Sequence, residues 1–330
     1  MFLYELSVPG HVQLGVVGLV PVDAFADGRI RKHEDFRPER ALLLANHLRQ
    51  TGGTSSPIAL SFRAWPEVCT MMADLATATP ILEHRRAHIG QRVWAVAGEA
   101  AARLSEQLGA TTLYVTDGHH RVAAATLARE MGRDGDEHGE LDWALAVVFP
   151  DIQLRVLAFH RLVVDRRNRD IDRLLADLAA AGLPATEVGS AQEANPRSPG
   201  RVGMFAGERW FTLELTATAR IRAVDGLDVQ RFQTQLLEPV FGIDRPGADP
   251  ALSYVPGVAG IDGFMARCRQ RPHTVGFLLH PTGTHELFDV ADEGDLMPPK
   301  SSYFSPKPLS GVFIRSLGRG PLQAFGPSGG

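Results

Sequence analysis

The densest concentration of reactive side chains is Leu113-Tyr-Val-Thr-Asp117-Gly118-His119-His120-Arg121, where an apolar, β-branched run meets a glycine and an alanine-rich run follows at once. The pattern predicts a strand, a turn and the start of a helix. The first N–H groups of a helix have no partner inside it, and the helix dipole is positive there, so this junction suits an anion. Gly118 allows the main chain to approach a phosphate closely. Arg121 can add a forked, charge-assisted contact. His119 and His120 can donate hydrogen bonds or exchange protons, and Asp117 can cap the helix or hold a metal-bound water. The same residues allow a plainer reading, a capped helix with two surface histidines.

Two other stretches carry chemistry. His33-Glu34 precedes a helical pattern, and a carboxylate near a bound phosphate is what a kinase needs to take the proton of an attacking hydroxyl. Equally, Glu34 can be a loop residue paired with Arg31 or Arg37. This is not a zinc-protease HExxH, because the second histidine would fall on Arg37. Further on, Met297-Pro-Pro-Lys300-Ser301-Ser302-Tyr303-Phe304-Ser-Pro-Lys307 holds two of the three lysines of the chain; the third is Lys32. Its prolines predict a stiff, extended segment. Lys300-Ser301 is no phosphate loop, since Pro299 stands where the glycine belongs. Neither GxSxG nor GxGxxG follows any of the predicted strands, which argues against an α/β-hydrolase and a dinucleotide fold. His84 and His88, four residues apart, read as structural.

The elements that must position these residues follow from periodicity and punctuation. Strands are expected over 11–22, 57–62, 92–97, 111–116, 143–149 and 154–164. Helices are expected from Pro38 to Gly52, over 65–77 and 99–108, and from His119 to Met131. A polar loop follows at 132–140. Beyond it, an amphipathic helix over 170–181, a polar loop over 188–201, strands around 202–215 and 274–280, and helices near 228–238, 262–270 and 284–292 predict a second α/β region. The expected division is 1–165, 166–317, and a disordered Gly/Pro-rich tail over 318–330.

The chain has 330 residues, 44% of them hydrophobic and 22% charged, a mix that can bury a core. A net charge of −4 argues against a protein that coats nucleic acid. Two cysteines without a CxxC exclude a cysteine zinc site and a disulfide scaffold. No basic n-region opens the chain and no run is apolar enough to span a bilayer. A cytoplasmic protein without a membrane partner is the expectation.

The three motifs, Gly28-Arg-Ile-Arg31-Lys32-His33-Glu34, Thr116-Asp117-Gly118-His119-His120-Arg121 and the Met297–Lys307 segment, occur in an order that resembles the DUF1015 family. The resemblance covers roughly residues 12–315. The nucleotide-binding part of that family is similar to the ParB/sulfiredoxin superfamily. The resemblance implies an α/β (α+β) fold, with a ParB/sulfiredoxin-like nucleotide-binding domain and a second α/β region. It also implies kinase chemistry, since relatives include free-serine kinases that use ADP or ATP. Carried over, Glu34 is the base that deprotonates the hydroxyl of a free amino acid such as serine, with His33, Asp117 and His120 in the catalytic set. Gly118, His119, His120 and Arg121 hold the nucleotide phosphates, helped by Lys300 and Ser301, and Mg2+ neutralises the phosphate charge with Asp117 as its protein ligand. The alternative is a regulatory switch that binds CTP or ATP without catalysis, as ParB does. DNA binding or nuclease activity is disfavoured by the acidic charge.

Overall fold

The computed structural model describes residues 1–132, 139–217 and 221–317. They form two compact units, each discontinuous in sequence. The first holds Met1–Ile30, Phe36–Pro150 and the segment from Lys307 onward; the second holds Arg31–Asp35 and Asp151–Pro306. The chain therefore leaves the first unit at Pro150 rather than at the expected 165, and it returns for a final segment. Residues 318–330 and most of the expected 132–140 loop lie outside the described residues.

The first unit is built on a mixed eight-stranded sheet in the order Ile30–Arg31, Leu113–Asp117, Ile58–Phe62, Trp143–Pro150, His11–Pro21, Phe2–Val8, Ile89–Ala95, Leu82–Arg86. Ile58–Phe62 runs parallel to Trp143–Pro150 and antiparallel to Leu113–Asp117. All five residues of Ile58–Phe62 are buried, as expected of a central strand covered on both faces. One core gathers Leu3, Leu14, Leu60 and Val115 under Val68 and Met72 of the helix Pro66–Leu75 and Leu104 and Leu108 of the helix Gly98–Gly109. A second, smaller cluster joins the helices Pro38–Thr51 and His119–Gly132 through Ala45, Ala124 and Ala128. Alanines let the two helices approach closely, and this fixes the start of the second beside that of the first.

The second unit has a six-stranded antiparallel sheet in the order Thr186–Val188, Arg209–Glu214, Arg201–Ala206, Thr274–Leu279, Phe159–Val164, Leu252–Pro256. One face buries Leu162, Phe205, Trp210, Phe264 and Leu278. On the other, Phe232 and Phe241 meet Phe277 edge to face.

The predicted helices are present to within a few residues, except that the 228–238 helix passes through a π-turn at Gln233–Leu237. The polar 188–201 stretch contains a short helix, Ala191–Ala194, capped by Ser190. The expected 154–164 strand is interrupted: Val156–Leu157 pairs with Tyr303–Phe304, and only Phe159–Val164 joins the large sheet. Among the described residues no helix is long and apolar enough to cross a membrane.

Candidate functional site

The strand Leu113–Asp117 ends in a register slip. Leu60 pairs with Val115, but the next pair is Ala59 with Asp117, so Thr116 is an extra residue on its strand. Such a bulge re-aims the side chain that follows it. Without the slip, Asp117 would share the inward face of Val115; with it, the carboxylate is only partly buried, 23% exposed.

Gly118 follows with φ +105°, a backbone conformation that L side chains rarely adopt. A Cβ built here would lie 2.9 Å from the Arg121 guanidinium. The glycine thus serves both the turn and the approach of Arg121 over it. The Gly118 carbonyl accepts from the Arg121 and Val122 amides at 2.7 and 3.0 Å, which closes the first turn of the helix His119–Gly132. The amides before Arg121 lie beyond the reach of the helical ladder, at its positive end.

Two cations converge on the Asp117 carboxylate. Arg121 Nη2 donates to Oδ2 at 2.5 Å, and Lys307 Nζ donates to Oδ1 at 2.5 Å. Arg121 also donates to the main-chain oxygen of Pro57. Burial by itself would raise the Asp117 pKa, but the charges of Lys307 and Arg121 outweigh it and hold the group below the usual carboxylate range. For Arg121 the order is reversed: burial dominates and lowers its pKa against the pull of Asp117. One carboxylate thus faces two cations, one on each oxygen.

Lys307 opens a segment that runs across the first unit to residue 317. The Leu309 amide donates to the Tyr4 hydroxyl at 3.5 Å, Ser310 and Ser56 share a hydrogen bond of 2.6 Å, and the Gly311 amide donates to the Ser55 carbonyl at 2.8 Å. Phe313 lies edge-on against Tyr4, and Arg315 pairs with Thr54 in a short ladder. Sequence reading singled out Lys307 for its rarity but gave it no role. No local pattern could link it to Asp117, 190 positions away.

The two histidines differ. His119 is buried, which corrects the reading of two surface histidines. His120 is half-buried, and its Nε2 accepts the Arg37 amide at 3.2 Å, at the cap of the helix Pro38–Thr51. His120 therefore ties the starts of the two helices together, with its proton on Nδ1 in this arrangement.

A cavity of about 500 Å3 opens from Arg121 within the first unit. Leu48, Ile58 and Ala125 supply apolar wall, Thr54 and Ser56 supply hydroxyls, and Arg315 closes one side.

The remaining candidates belong to the second unit. The Arg31–Asp35 excursion is fastened there by Arg31 to Asp292 at 2.5 Å and by the Met297 amide to the His33 carbonyl at 2.8 Å. His33 is buried and Glu34 half-buried. Lys300 has φ +61°, and its ammonium lies 5.6 Å from the Phe159 ring centroid. Ser301 is buried, and its hydroxyl donates to the Pro298 carbonyl at 2.5 Å, so it closes its own turn.

The sequence assigned Asp117 to a metal ion. Each of its oxygens already faces a cation, so a metal ion there would meet the positive charges of Lys307 and Arg121 at close range. As it stands the residue does not fit that role.

A family model described as a protein of unknown function, DUF1015, matches residues 1–230. The Met297–Lys307 motif lies beyond the matched stretch. Comparison with curated proteins gives no match. Among solved structures, a conserved hypothetical protein from Pyrococcus furiosus is similar at 13% identity over 91% of this chain and 95% of its own, with a TM-score of 0.44. A variant of a free serine kinase in complex with AMP aligns at 13% identity over 87% and 86%, with a TM-score of 0.44. SbnI from Staphylococcus aureus, truncated at its C-terminus, aligns at 15% identity over 89% and 85%, with a TM-score of 0.43.

Proposed function

The chain belongs to the DUF1015 family, and we propose that it is a nucleotide-dependent kinase whose acceptor is the hydroxyl of a free amino acid such as serine. In this reading the first unit is a ParB/sulfiredoxin-like nucleotide domain and ADP or ATP is the donor. The observation that carries it is the turn at Gly118: a helix start with a left-handed glycine, beside a partly buried carboxylate on which two cations converge. A phosphate chain is the ligand that such cations and such a backbone accept best.

The amides of the first helical turn and the Arg121 guanidinium hold the terminal phosphates. The cavity that opens from Arg121 takes the nucleoside, for which about 500 Å3 is adequate. The acceptor oxygen attacks the terminal phosphorus, the bond from that phosphorus to the bridging oxygen breaks, and the shortened nucleotide leaves with the bond pair. The hydroxyl proton passes to Glu34. Positioning and charge stabilisation do most of the work in such transfers, so few residues are needed. His120 keeps the turn in place through the Arg37 amide. Lys300 and Ser301 are not required, since their side chains are engaged within their own unit. Mg2+ would come with the nucleotide, on phosphate oxygens and water, and no step depends on its contact with the protein.

The test is incubation with ADP, ATP or CTP, Mg2+ and a pool of amino acids, with mass spectrometry for a phosphorylated product. Glu34→Gln should then lower turnover by roughly 10²-fold or more, in the range of a lost general base, while nucleotide affinity stays nearly unchanged. Nucleotide binding with no phosphorylated product would replace the kinase with a regulatory switch. An equally active Glu34→Gln protein would remove Glu34 from the chemistry.

A further inference from the structure

We propose that the Asp117 carboxylate is a built-in stand-in for phosphate, which keeps Lys307 and Arg121 paired until a phosphate group takes both cations over. The inference rests on the phosphate half of the function proposed above and adds to it Lys307, as a binding residue, and a role for Asp117 opposite to that of a metal ligand.

The geometry gives three reasons. First, the two cations approach different oxygens of one carboxylate, so the arrangement matches the way a phosphate presents separate oxygens to separate donors. A phosphate offers three such oxygens and up to two charges, against two oxygens and one charge on Asp117. Phosphate is therefore the stronger partner for the same pair.

Second, the cations can change partner without unfolding anything. The main chain after Lys307 is fastened by Ser310, Gly311 and Phe313, while the lysine stem itself is 45% exposed. A fixed base with a four-carbon arm suits an ammonium that must swing a short way. Arg121 keeps its bond to the Pro57 carbonyl as an anchor for such a turn.

Third, the bulge at Thr116 aims Asp117 into the cluster instead of into the core. Once phosphate arrives, the displaced carboxylate and the phosphate are like charges in a half-buried place. Asp117 thus sets how tightly phosphate is held and prevents the bare site from retaining every small anion.

This assigns opposite signs to two substitutions. Binding of inorganic pyrophosphate to the full chain, measured by calorimetry in EDTA and again in Mg2+, reads them directly. Asp117→Asn removes the competitor and should tighten pyrophosphate binding by about 3–10-fold in EDTA. Lys307→Met should weaken it by about 10-fold, and Lys307→Arg should recover most of that loss. Thermal melts check that each variant is folded; if Asp117→Asn is not, the two Lys307 variants carry the decision. Weaker or unchanged binding by a folded Asp117→Asn protein, unchanged binding by Lys307→Met, or no pyrophosphate binding by the parent overturns the proposal. The same titrations with ADP and ATP separate the two readings. If pyrophosphate binds with the expected pattern but no nucleotide does, the kinase reading falls and this one stands. If nucleotides bind with the same affinity in parent and variants, this one falls and the kinase reading stands.

Discussion

Asp117–Arg121 in the first unit and Asp165–Arg169 in the second share a spacing of four residues and a place at the end of a buried strand. Their surroundings differ in two respects. Asp165 and Arg169 are only 4% and 5% exposed, and every arm of the guanidinium is engaged: Nε and Nη2 donate to Asp165 at 2.9 and 3.0 Å, and Nη1 donates to Asp177 at 2.9 Å. Asp165 also accepts the Arg167 and Arg169 amides, at 3.2 and 3.1 Å. The Arg169 guanidinium lies 5.0 Å from the Phe241 ring centroid. In the first unit the pair is about a quarter exposed and the extra partner is a cation, Lys307, instead of a second anion. The same sequence spacing therefore makes a closed structural tie where a second carboxylate joins the arginine, and, in the function proposed above, an open anion site where a second cation joins the aspartate.

Removing the arginine from each pair should separate the two roles. Arg169→Met leaves Asp165 buried without its partner, and breaking such a pair costs about 3–5 kcal/mol. That is a shift of roughly a hundredfold or more in the folding equilibrium, readable by urea denaturation. Pyrophosphate affinity, measured where the variant is still folded, should not move. A loss below about 1 kcal/mol, the range of exposed ion pairs, would mean that the second pair is not closed and would erase the contrast.

A smaller effect is expected at Gly118. Gly118→Ala must hold a φ of +105° and place its Cβ 2.9 Å from the Arg121 guanidinium. Strain of this kind costs about 1–3 kcal/mol. Because the first pair is open, Arg121 can retreat, so stability should fall toward the lower end of that range while pyrophosphate binding weakens. If stability falls as far as in Arg169→Met and binding is unchanged, the Gly118 turn is structural and the comparison fails on its functional side.

The first of the two pairs sits in a junction that the residues themselves announce. The Leu113–Arg121 strand, glycine and helix stand where the pattern predicts them, because an apolar run, a glycine and an alanine-rich run each act locally. The division into units is not legible in the same way. Arg31–Asp35 leaves the first unit between two elements that stay in it, and Lys307 returns after a long excursion; neither event has a local signature. Strands escape sequence reading where the pattern misleads. Leu82–Arg86 is exposed throughout and carries no apolar alternation, yet its main chain completes an edge by pairing with Ile89–Ala95. Leu252–Pro256 contains a serine and a terminal proline and is likewise an edge strand. The Asp117–Lys307 contact is invisible for the same reason as the units: it depends on where the chain returns, not on what surrounds either residue.

The smallest effect expected is that of acid. Burial alone would raise the Asp165 pKa, but hydrogen bonds from the Arg169 side chain and from the Arg169 and Arg167 amides outweigh it, and the pKa is lowered. A carboxyl depressed in the folded state contributes stability that is present above its unfolded pKa and is lost as pH falls through its folded one. The loss should therefore begin below about pH 4, the ordinary aspartate range, and continue downward. It should be less than the loss on removing Arg169, because Asp177 still faces the guanidinium when Asp165 takes a proton. Asp228, whose pKa burial raises, acts with the opposite sign. The readout is thus the difference in unfolding free energy between parent and Asp165→Asn, stepped from about pH 7 to about pH 3 across that range, in which the Asp228 contribution cancels. The parent should lose its advantage over Asp165→Asn as the pH drops. Asp117, also depressed, should give a shallower difference in the matching Asp117→Asn series, because its side chain is 23% exposed against 4% for Asp165. Equal acid slopes for the two aspartates would show that burial does not separate the pairs, and would leave the sign of the third charge as the whole distinction between them.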